Sequence, residues 1–325
     1  MKYCFVFLIF SLSCFAQTDT SSSFKELDLR DFYKVTSTSL QTAYAVGERG
    51  LIIATEDGGA TWKTVHKPKR PASDLYGIAF ADKKSGISVG KDGLILQTTN
   101  AGKTWKQIQS STIQTLIGVQ FVNAAIGWAV GFEGTILKTT DGGSTWHTQQ
   151  SNVKNHLWSL SFINNNVGWI CGSGGIIMKT IDGGKTWIQL KSGLTHFFHS
   201  IHFVNAVTGW AVGGYGAVMK TTDDGTSWFR QHTQPNFSVF KSNSYFYGVQ
   251  FTDSLTGCIV GDEGKIIKTV NGGEAFIDKE SSTKEVLNGI HFANRTIGWA
   301  VGGNETILKT TDGGTTWSKQ EILQK

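Results

Sequence analysis

Short apolar runs alternate along the chain with polar, glycine-containing turns, and this pattern indicates strands. In the segment Ile136–Thr139, apolar and polar side chains alternate, as they do on the two faces of a strand. The run Gly127–Gly131 (GWAVG) is almost wholly apolar, which is typical of a strand covered on both faces. The 3.6-residue period of an amphipathic helix is missing. The pattern therefore predicts an all-β protein.

The same pattern recurs seven times. Each copy ends in a box of the form T-x-D-G-G-x-T-W, and the closing aromatic residues are Trp62, Trp105, Trp146, Trp187, Trp228, Phe276 and Trp317. Each copy reads as strand, turn, strand, G-x-x-G turn, strand, box and strand. Units of four strands with a period of about 40–45 residues are typical of β-propellers, because stacking the units around an axis buries their apolar faces. We predict a single seven-bladed β-propeller over residues 30–325, with four antiparallel strands per blade.

How the propeller ring closes is left open by the sequence. Residues 318–323 can form the outer strand of the last blade. Residues 24–29, at the end of a polar lead-in over residues 17–29, could instead add a clasp strand. Both alternatives fit the repeat.

The N-terminus has the pattern of a secretory signal peptide over residues 1–16. Lys2 precedes a short apolar run, and the small residue Ala16 follows it. We expect cleavage after Ala16. Lipidation at Cys14 is the alternative, but Ser11 stands where a leucine is usual. The protein is therefore expected in the periplasm, on the cell surface or outside the cell. No later segment approaches the ~20 apolar residues of a membrane span.

Composition excludes several classes of function. A net charge of +5, without a stripe of Lys and Arg, argues against nucleic-acid binding. Cys171 and Cys258 lie in different repeats, and we interpret them as two buried thiols and not as a disulfide. Metal-ligand spacings, nucleotide-binding loops and common hydrolase motifs are missing, so neither a metal nor another cofactor is expected.

The acidic position of the box is interpreted as structural. An aspartate at a tight turn accepts hydrogen bonds from backbone N–H groups about two residues on, and the glycines that follow supply positive φ. The residues at this position are Asp57, Asn100, Asp141, Asp182, Asp223, Asn271 and Asp312. One acid per blade cannot converge on a single substrate, and asparagine in two copies suits hydrogen bonding. We predict that the box fixes the hairpin between the third and fourth strands.

The box resembles the Asp-box, or BNR repeat, of sialidases and other propellers. That resemblance would require a tyrosine nucleophile, two acidic partners, three substrate-binding arginines and an F/Y-R-I-P motif near the mature N-terminus. The motif is absent, and the five arginines are scattered along the chain. We therefore predict no catalytic residue and no enzyme activity. A glycan-binding or glycoside hydrolase propeller is kept as the alternative.

The full repeat, F-x-N-x-x-x-G-W-A-V-G-x-x-G-x-I-L-K-T-T-D-G-G-x-T-W, resembles the Ycf48/HCF136-like photosystem II assembly factor family. Four segments carry the match most fully: Phe121–Trp146, Phe162–Trp187, Phe203–Trp228 and Phe292–Trp317. The resemblance implies a non-catalytic scaffold, since family members in photosynthetic organisms bind nascent reaction-centre subunits. The arginine-rich patch of those members has no counterpart here. We expect a monomer that binds a protein of the cell envelope.

Binding is expected on one face of the ring. In a four-stranded blade the linkers between blades and the second-to-third-strand turns share one face (the linker face), and the boxes share the other (the box face). Because boxes are uniform and linkers vary, specificity is expected on the linker face. The candidate residues are Lys67, Lys69, Arg70, His156, Trp158, Phe197, His199, Phe237, Phe240 and Tyr245. Aromatic residues near basic groups are typical interface anchors. The alternative is that they only begin strands or lie in solvated loops.

Overall fold

The computed structural model describes residues 30–69, 72–231 and 244–323. The predicted signal peptide, the polar lead-in and the clasp strand lie outside the described residues. So do three of the candidate binding residues: Arg70, Phe237 and Phe240.

The described residues form seven sheets of four antiparallel strands each, in simple sequence order, which confirms the predicted propeller. The strands are β1 (Phe32–Ser37), β2 (Ala43–Gly47), β3 (Ile52–Thr55), β4 (Lys63–His66); β5 (Leu75–Phe80), β6 (Gly86–Gly90), β7 (Ile95–Thr98), β8 (Lys106–Ile108); β9 (Leu116–Phe121), β10 (Gly127–Gly131), β11 (Ile136–Thr139), β12 (His147–Gln149); β13 (Leu157–Phe162), β14 (Gly168–Gly172), β15 (Ile177–Thr180), β16 (Ile188–Leu190); β17 (Phe198–Phe203), β18 (Gly209–Gly213), β19 (Val218–Thr221), β20 (Phe229–Arg230); β21 (Phe246–Phe251), β22 (Gly257–Gly261), β23 (Ile266–Thr269), β24 (Ile277–Lys279); β25 (Leu287–Phe292), β26 (Gly298–Gly302), β27 (Ile307–Thr310), β28 (Ser318–Lys319). Short 3-10 turns follow the second strand at Glu48–Gly50, Lys91–Gly93, Phe132–Gly134, Ser173–Gly175 and Asp262–Gly264.

The second strand of every blade is buried along its whole length, as its apolar sequence predicts. The first strands are innermost and lie side by side around the axis. Side chains also bridge neighbouring first strands. The Gln120 Oε1 accepts from the Phe162 N–H of the next blade at 2.8 Å, and its Nε2 donates to the Phe162 carbonyl oxygen at 3.0 Å. Cys171 and Cys258 are free and buried, as interpreted from the sequence.

Aromatic side chains stack between neighbouring blades at several junctions. The Trp169 ring, on a second strand, stacks on Phe203 of the following blade with 3.6 Å between ring centroids. Its indole Nε1 donates to the Asp224 carbonyl oxygen in that blade's box at 2.8 Å. Trp128 and Trp210 repeat both contacts at their own junctions. The tryptophan of the G-W-A-V-G strand is therefore an inter-blade anchor.

The ring closes without an exchanged strand among the described residues. β28 is the outer strand of the last blade, but it is shorter than the predicted 318–323, because Ile322 pairs in parallel with Trp62 of the first blade. The first and last blades meet through side chains: Asn288 Nδ2 donates to the Phe32 carbonyl oxygen at 2.9 Å, and Ser37 Oγ lies 2.8 Å from His291 Nε2. The Leu323 N–H then bonds the Trp62 carbonyl oxygen at 3.0 Å.

The boxes are hydrogen-bonded turns between the third and fourth strands, as predicted. In the fourth blade, Asp182 accepts bonds from the backbone N–H and the hydroxyl of Thr186, at 2.9 and 2.6 Å. The N–H donor lies four residues on, farther than the two we expected. Thr180 Oγ1 donates to Asp182 and accepts from the Gly184 N–H, where φ is +88°. Trp187 is buried behind the turn.

These bonds predict acid-sensitive stability. The Thr186 hydroxyl and N–H hold the pKa of Asp182 at about 2, below the value of about 3.9 for an unfolded aspartate. The stabilisation is therefore complete above pH ~4 and is lost as the pH falls towards 2. We expect the urea midpoint to fall over this range and Asp182→Asn to reduce the fall, since Asn100 accepts the equivalent bond from Thr104 N at 2.9 Å. The control is Glu56→Gln, an exposed carboxylate. An unchanged pH dependence in Asp182→Asn would contradict the interpretation.

Candidate functional site

The two faces of the ring are composed as predicted. On the linker face, the turn after a second strand bonds the residue that precedes the first strand: Gly214 N–H donates to the Phe197 carbonyl oxygen at 3.1 Å. On the box face, Gly183 N–H donates to the carbonyl oxygen of Asn166 in the first-to-second-strand turn at 2.8 Å. Equivalent bonds recur around the ring, so the faces are rigid and distinct.

A β-bulge shapes the channel mouth on the linker face. In β17, Phe198 pairs with Gly213, and the next pair is Ser200 with Val212. His199, between them, is therefore left outside the ladder. The same shift occurs in all seven first strands. Bulges re-aim the side chain they release. The released residues line one cavity of about 120 Å³ and are named the mouth ring: Tyr33, Tyr76, Ile117, Trp158, His199, Tyr247 and Asn288.

Four of the predicted binding residues meet in one aromatic cluster on the fourth to sixth blades. The Trp158 ring centroid lies 4.3 Å from that of His199 and 5.8 Å from that of Phe197. Phe197 in turn stacks on Tyr245 at 5.9 Å. Two further residues extend the cluster, which we call the aromatic surface: Trp158, Phe197, His199, Tyr215, Tyr245 and Tyr247. It is continuous across three blades.

The members of this surface differ in exposure. Tyr215 is 43% exposed at the tip of its turn, and Trp158, Phe197 and Tyr245 are half-buried. His199 is buried, and burial lowers its pKa to about 3, so its imidazole is neutral at physiological pH. His199 therefore supports the neighbouring rings and is not an exposed anchor.

The other described candidates lie around this surface or across the ring from it. His156 stacks on Phe132 at 4.3 Å and accepts a bond from the Glu133 N–H at its Nδ1, 3.2 Å away. Lys67 and Lys69 are exposed on the linker between the first two blades. The structure thus places the basic linker on the same face as the aromatic surface but on the opposite side of the ring.

Carboxylates lie close to the tyrosines of the mouth ring. Tyr76 Oη donates to Asp74 at 3.3 Å. Burial, followed by the nearby carboxylates, raises the pKa of Tyr33 and of Tyr76. Burial and Asp262 do the same for the pKa of Tyr247. These hydroxyls therefore stay protonated at physiological pH.

Sequence reasoning missed Tyr33, Tyr76 and Tyr215. A signal for the first two was present: when the seven repeats are aligned, the second residue of the first strand is large in most copies, whereas the first residue is always Phe or Leu. Tyr215 carries a weaker signal, a tyrosine between glycines in a turn where its φ is +57°.

Two findings bear on chemistry and on membrane association. Among residues 30–69, 72–231 and 244–323, no group of three or more His, Cys, Asp or Glu side chains is arranged to hold a metal ion. In the same part of the chain, no helix has the length and apolar character needed to cross a membrane.

Several solved structures have the same fold as this protein. Two solved structures, described as "YCF48 bound to D1 peptide" and "YCF48 from Cyanidioschyzon merolae", superpose with TM-scores of 0.72. They are 16% and 18% identical, and the matches cover 87% of this chain and 92% and 97% of theirs. A GH74 xyloglucanase from Xanthomonas campestris also gives 0.72, at 10% identity, over 90% of this chain and 55% of its own. These identities show a shared fold.

Sequence comparison is more specific. No curated protein matches the chain. The family model described as "Photosynthesis system II assembly factor YCF48" matches residues 15–99, 97–195, 192–270 and 274–325. Because these matches span nearly the whole chain, the protein belongs to the Ycf48 family of photosystem II assembly factor propellers.

Proposed function

We propose that the protein is an exported, non-catalytic scaffold that binds a protein of the cell envelope through the aromatic surface. The observation that carries the proposal is the continuity of that surface, in which Trp158, Phe197 and Tyr245 contact one another across three rigid blades. Large, partly exposed aromatic side chains on a rigid scaffold are the usual anchors of protein interfaces. A YCF48 structure of the same fold is described as bound to a D1 peptide, which supports a polypeptide as the ligand.

The role of the aromatic surface is testable by truncation. We expect a Phe197→Ala/Tyr245→Ala variant to weaken capture of the envelope partner at least ~30-fold, because truncating hot-spot residues costs about 2 kcal/mol or more each. The measurement is a pull-down from envelope extract, followed by titration of the captured protein. Phe229→Ala is the control, because Phe229 is an aromatic residue 62% exposed on an outer strand. Equal capture by both variants would contradict the proposal.

The alternative function, glycan binding, predicts a different experimental result. Aromatic rings also stack on sugars, so a glycan-binding propeller would use the same side chains. Binding of a defined glycan on an array, lost in the Phe197→Ala/Tyr245→Ala variant, would replace the protein partner with a carbohydrate.

Export is tested separately. We expect the protein to be recovered from the envelope fraction, with its N-terminus at Gln17 after cleavage behind Ala16. N-terminal sequencing and cell fractionation measure both. A cytoplasmic protein that begins at Met1 would contradict export without affecting the aromatic surface.

A further inference from the structure

A single lysine breaks the regularity of the channel wall. Lys34 is the third residue of β1 and lines the same cavity as the mouth ring. The equivalent residues of the other six blades are all small: Gly77, Gly118, Ser159, Ser200, Gly248 and Gly289. The two serines are used within the wall, since their hydroxyls accept bonds from Ile201 N and Val249 N, both at 3.3 Å. A Cβ at Gly77, Gly118 or Gly289 would lie 2.8–2.9 Å from an atom of the next blade, so Lys34 is a long cationic side chain at a position that is tightly packed in those blades.

The Lys34 ammonium has no partner within the described part of the protein. No ion pair and no hydrogen bond joins it to any residue there. Burial in the channel lowers its pKa. A cation taken out of bulk water without a counter-charge is costly unless a ligand or water solvates it. Within the described residues, no acidic group neutralises the positive charge of Lys34 in the channel.

The ionisable groups that interact with the Lys34 charge are the buried Cys171 thiol and the imidazoles of His202 and His291. His202 and His291 lie farther along their strands, and the pKa of each is lowered to about 4, first by burial and also by the Lys34 charge. His202 Nε2 donates to the Phe251 carbonyl oxygen at 3.0 Å. The carboxylates of the linker face act instead on the tyrosines at the mouth. The described part of the channel consequently has an aromatic entrance and an interior with Lys34 and two imidazoles that are neutral at physiological pH.

We propose that this channel binds a small organic carboxylate with an apolar body. The carboxylate would lie on the Lys34 ammonium, where a charge-assisted hydrogen bond is strongest. The apolar body would lie against the mouth ring, above all Trp158 and Tyr247. The cavity of about 120 Å³ is open at the mouth, and closed apolar cavities of about 150 Å³ admit benzene. This inference does not depend on the protein partner proposed above.

Benzoate is a suitable probe because benzamide matches its shape without its charge. We expect calorimetric titration of the full chain to show benzoate binding, with benzamide at least ~10-fold weaker, a difference of one charge-assisted bond. Lys34→Met should weaken benzoate binding at least ~10-fold. The matched control is Lys91→Met, an exposed lysine in the turn after β6 on the same face, which should bind as the wild type does.

Three results would overturn the proposal. They are the lack of benzoate binding by the wild type up to about 10 mM, equal affinity for benzoate and benzamide, and full binding by a folded Lys34→Met variant. If Lys34→Met fails to fold by far-UV circular dichroism, the comparison of the two probes in the wild type decides alone. Loss of protein-partner capture with benzoate binding intact would count only against the scaffold function.

Discussion

Replacing Trp169 with alanine is expected to lower the free energy of unfolding by about 3–5 kcal/mol, the range for truncating a buried tryptophan. The side chain is fully buried, stacks on Phe203 and donates to the Asp224 carbonyl oxygen. Lys179 Nζ also lies over the ring, 5.6 Å from its centroid. Alanine would remove contacts to two blades at once and leave a cavity at their junction.

Urea denaturation followed by far-UV circular dichroism measures this loss. Trp169→Phe separates its components: the ring contacts largely remain, and removal of the N–H should cost about 1–3 kcal/mol through the unsatisfied carbonyl. The control, Phe229→Ala, truncates a side chain that is 62% exposed and should change stability by no more than about 0.5 kcal/mol. A loss below ~1 kcal/mol in Trp169→Ala would show that the junctions do not depend on this anchor.

The second large effect is expected from Gly213→Ala. A Cβ atom at Gly213 would overlap the Phe197 carbonyl oxygen, so one of the two backbones must move. All seven second strands end in a glycine in this position, and each faces the backbone carbonyl before its own first strand. We expect a loss of at least about 3 kcal/mol, at the upper end for overpacked sites, because backbone cannot rearrange as a flexible side chain can.

Gly303→Ala is the matched control for this prediction. The nearest atoms to its added Cβ are side-chain atoms of Glu285 and Val286 at 3.3 Å, which can give way. Thermal unfolding should therefore separate the two variants clearly. Because Phe197 belongs to the aromatic surface, Gly213→Ala should also change the near-UV spectrum of the aromatic rings. Wild-type stability in Gly213→Ala would refute the close approach.

The repeats made the fold predictable because each local signal agreed with the others. The box predicted a tight turn, and Gly127–Gly131 predicted a strand buried on both faces; both are confirmed. The division into linker face and box face followed from strand order alone. Local sequence was enough for these features, since neighbouring residues determine them.

The site was less predictable because it depends on contacts between blades. The sequence indicated Trp158, Phe197 and Tyr245 as surface aromatics, but only the bulge in each first strand explains why Trp158 and His199 face the channel mouth. The burial of His199 follows from rings on both sides of it, which come from different repeats. Nothing in a single repeat indicated that Lys34 would line the cavity at the channel mouth.

The way in which the ring closes makes the chain suitable for circular permutation. Each described sheet is made from one continuous stretch, and the two ends of the described chain meet where the last blade packs on the first. At the seam, Trp299 Nε1 has no acceptor among the described residues, whereas Trp169 Nε1 has one at its own junction. Circular permutants that join the ends and open any other linker would keep every sheet intact. They would also turn this seam into a covalently linked junction.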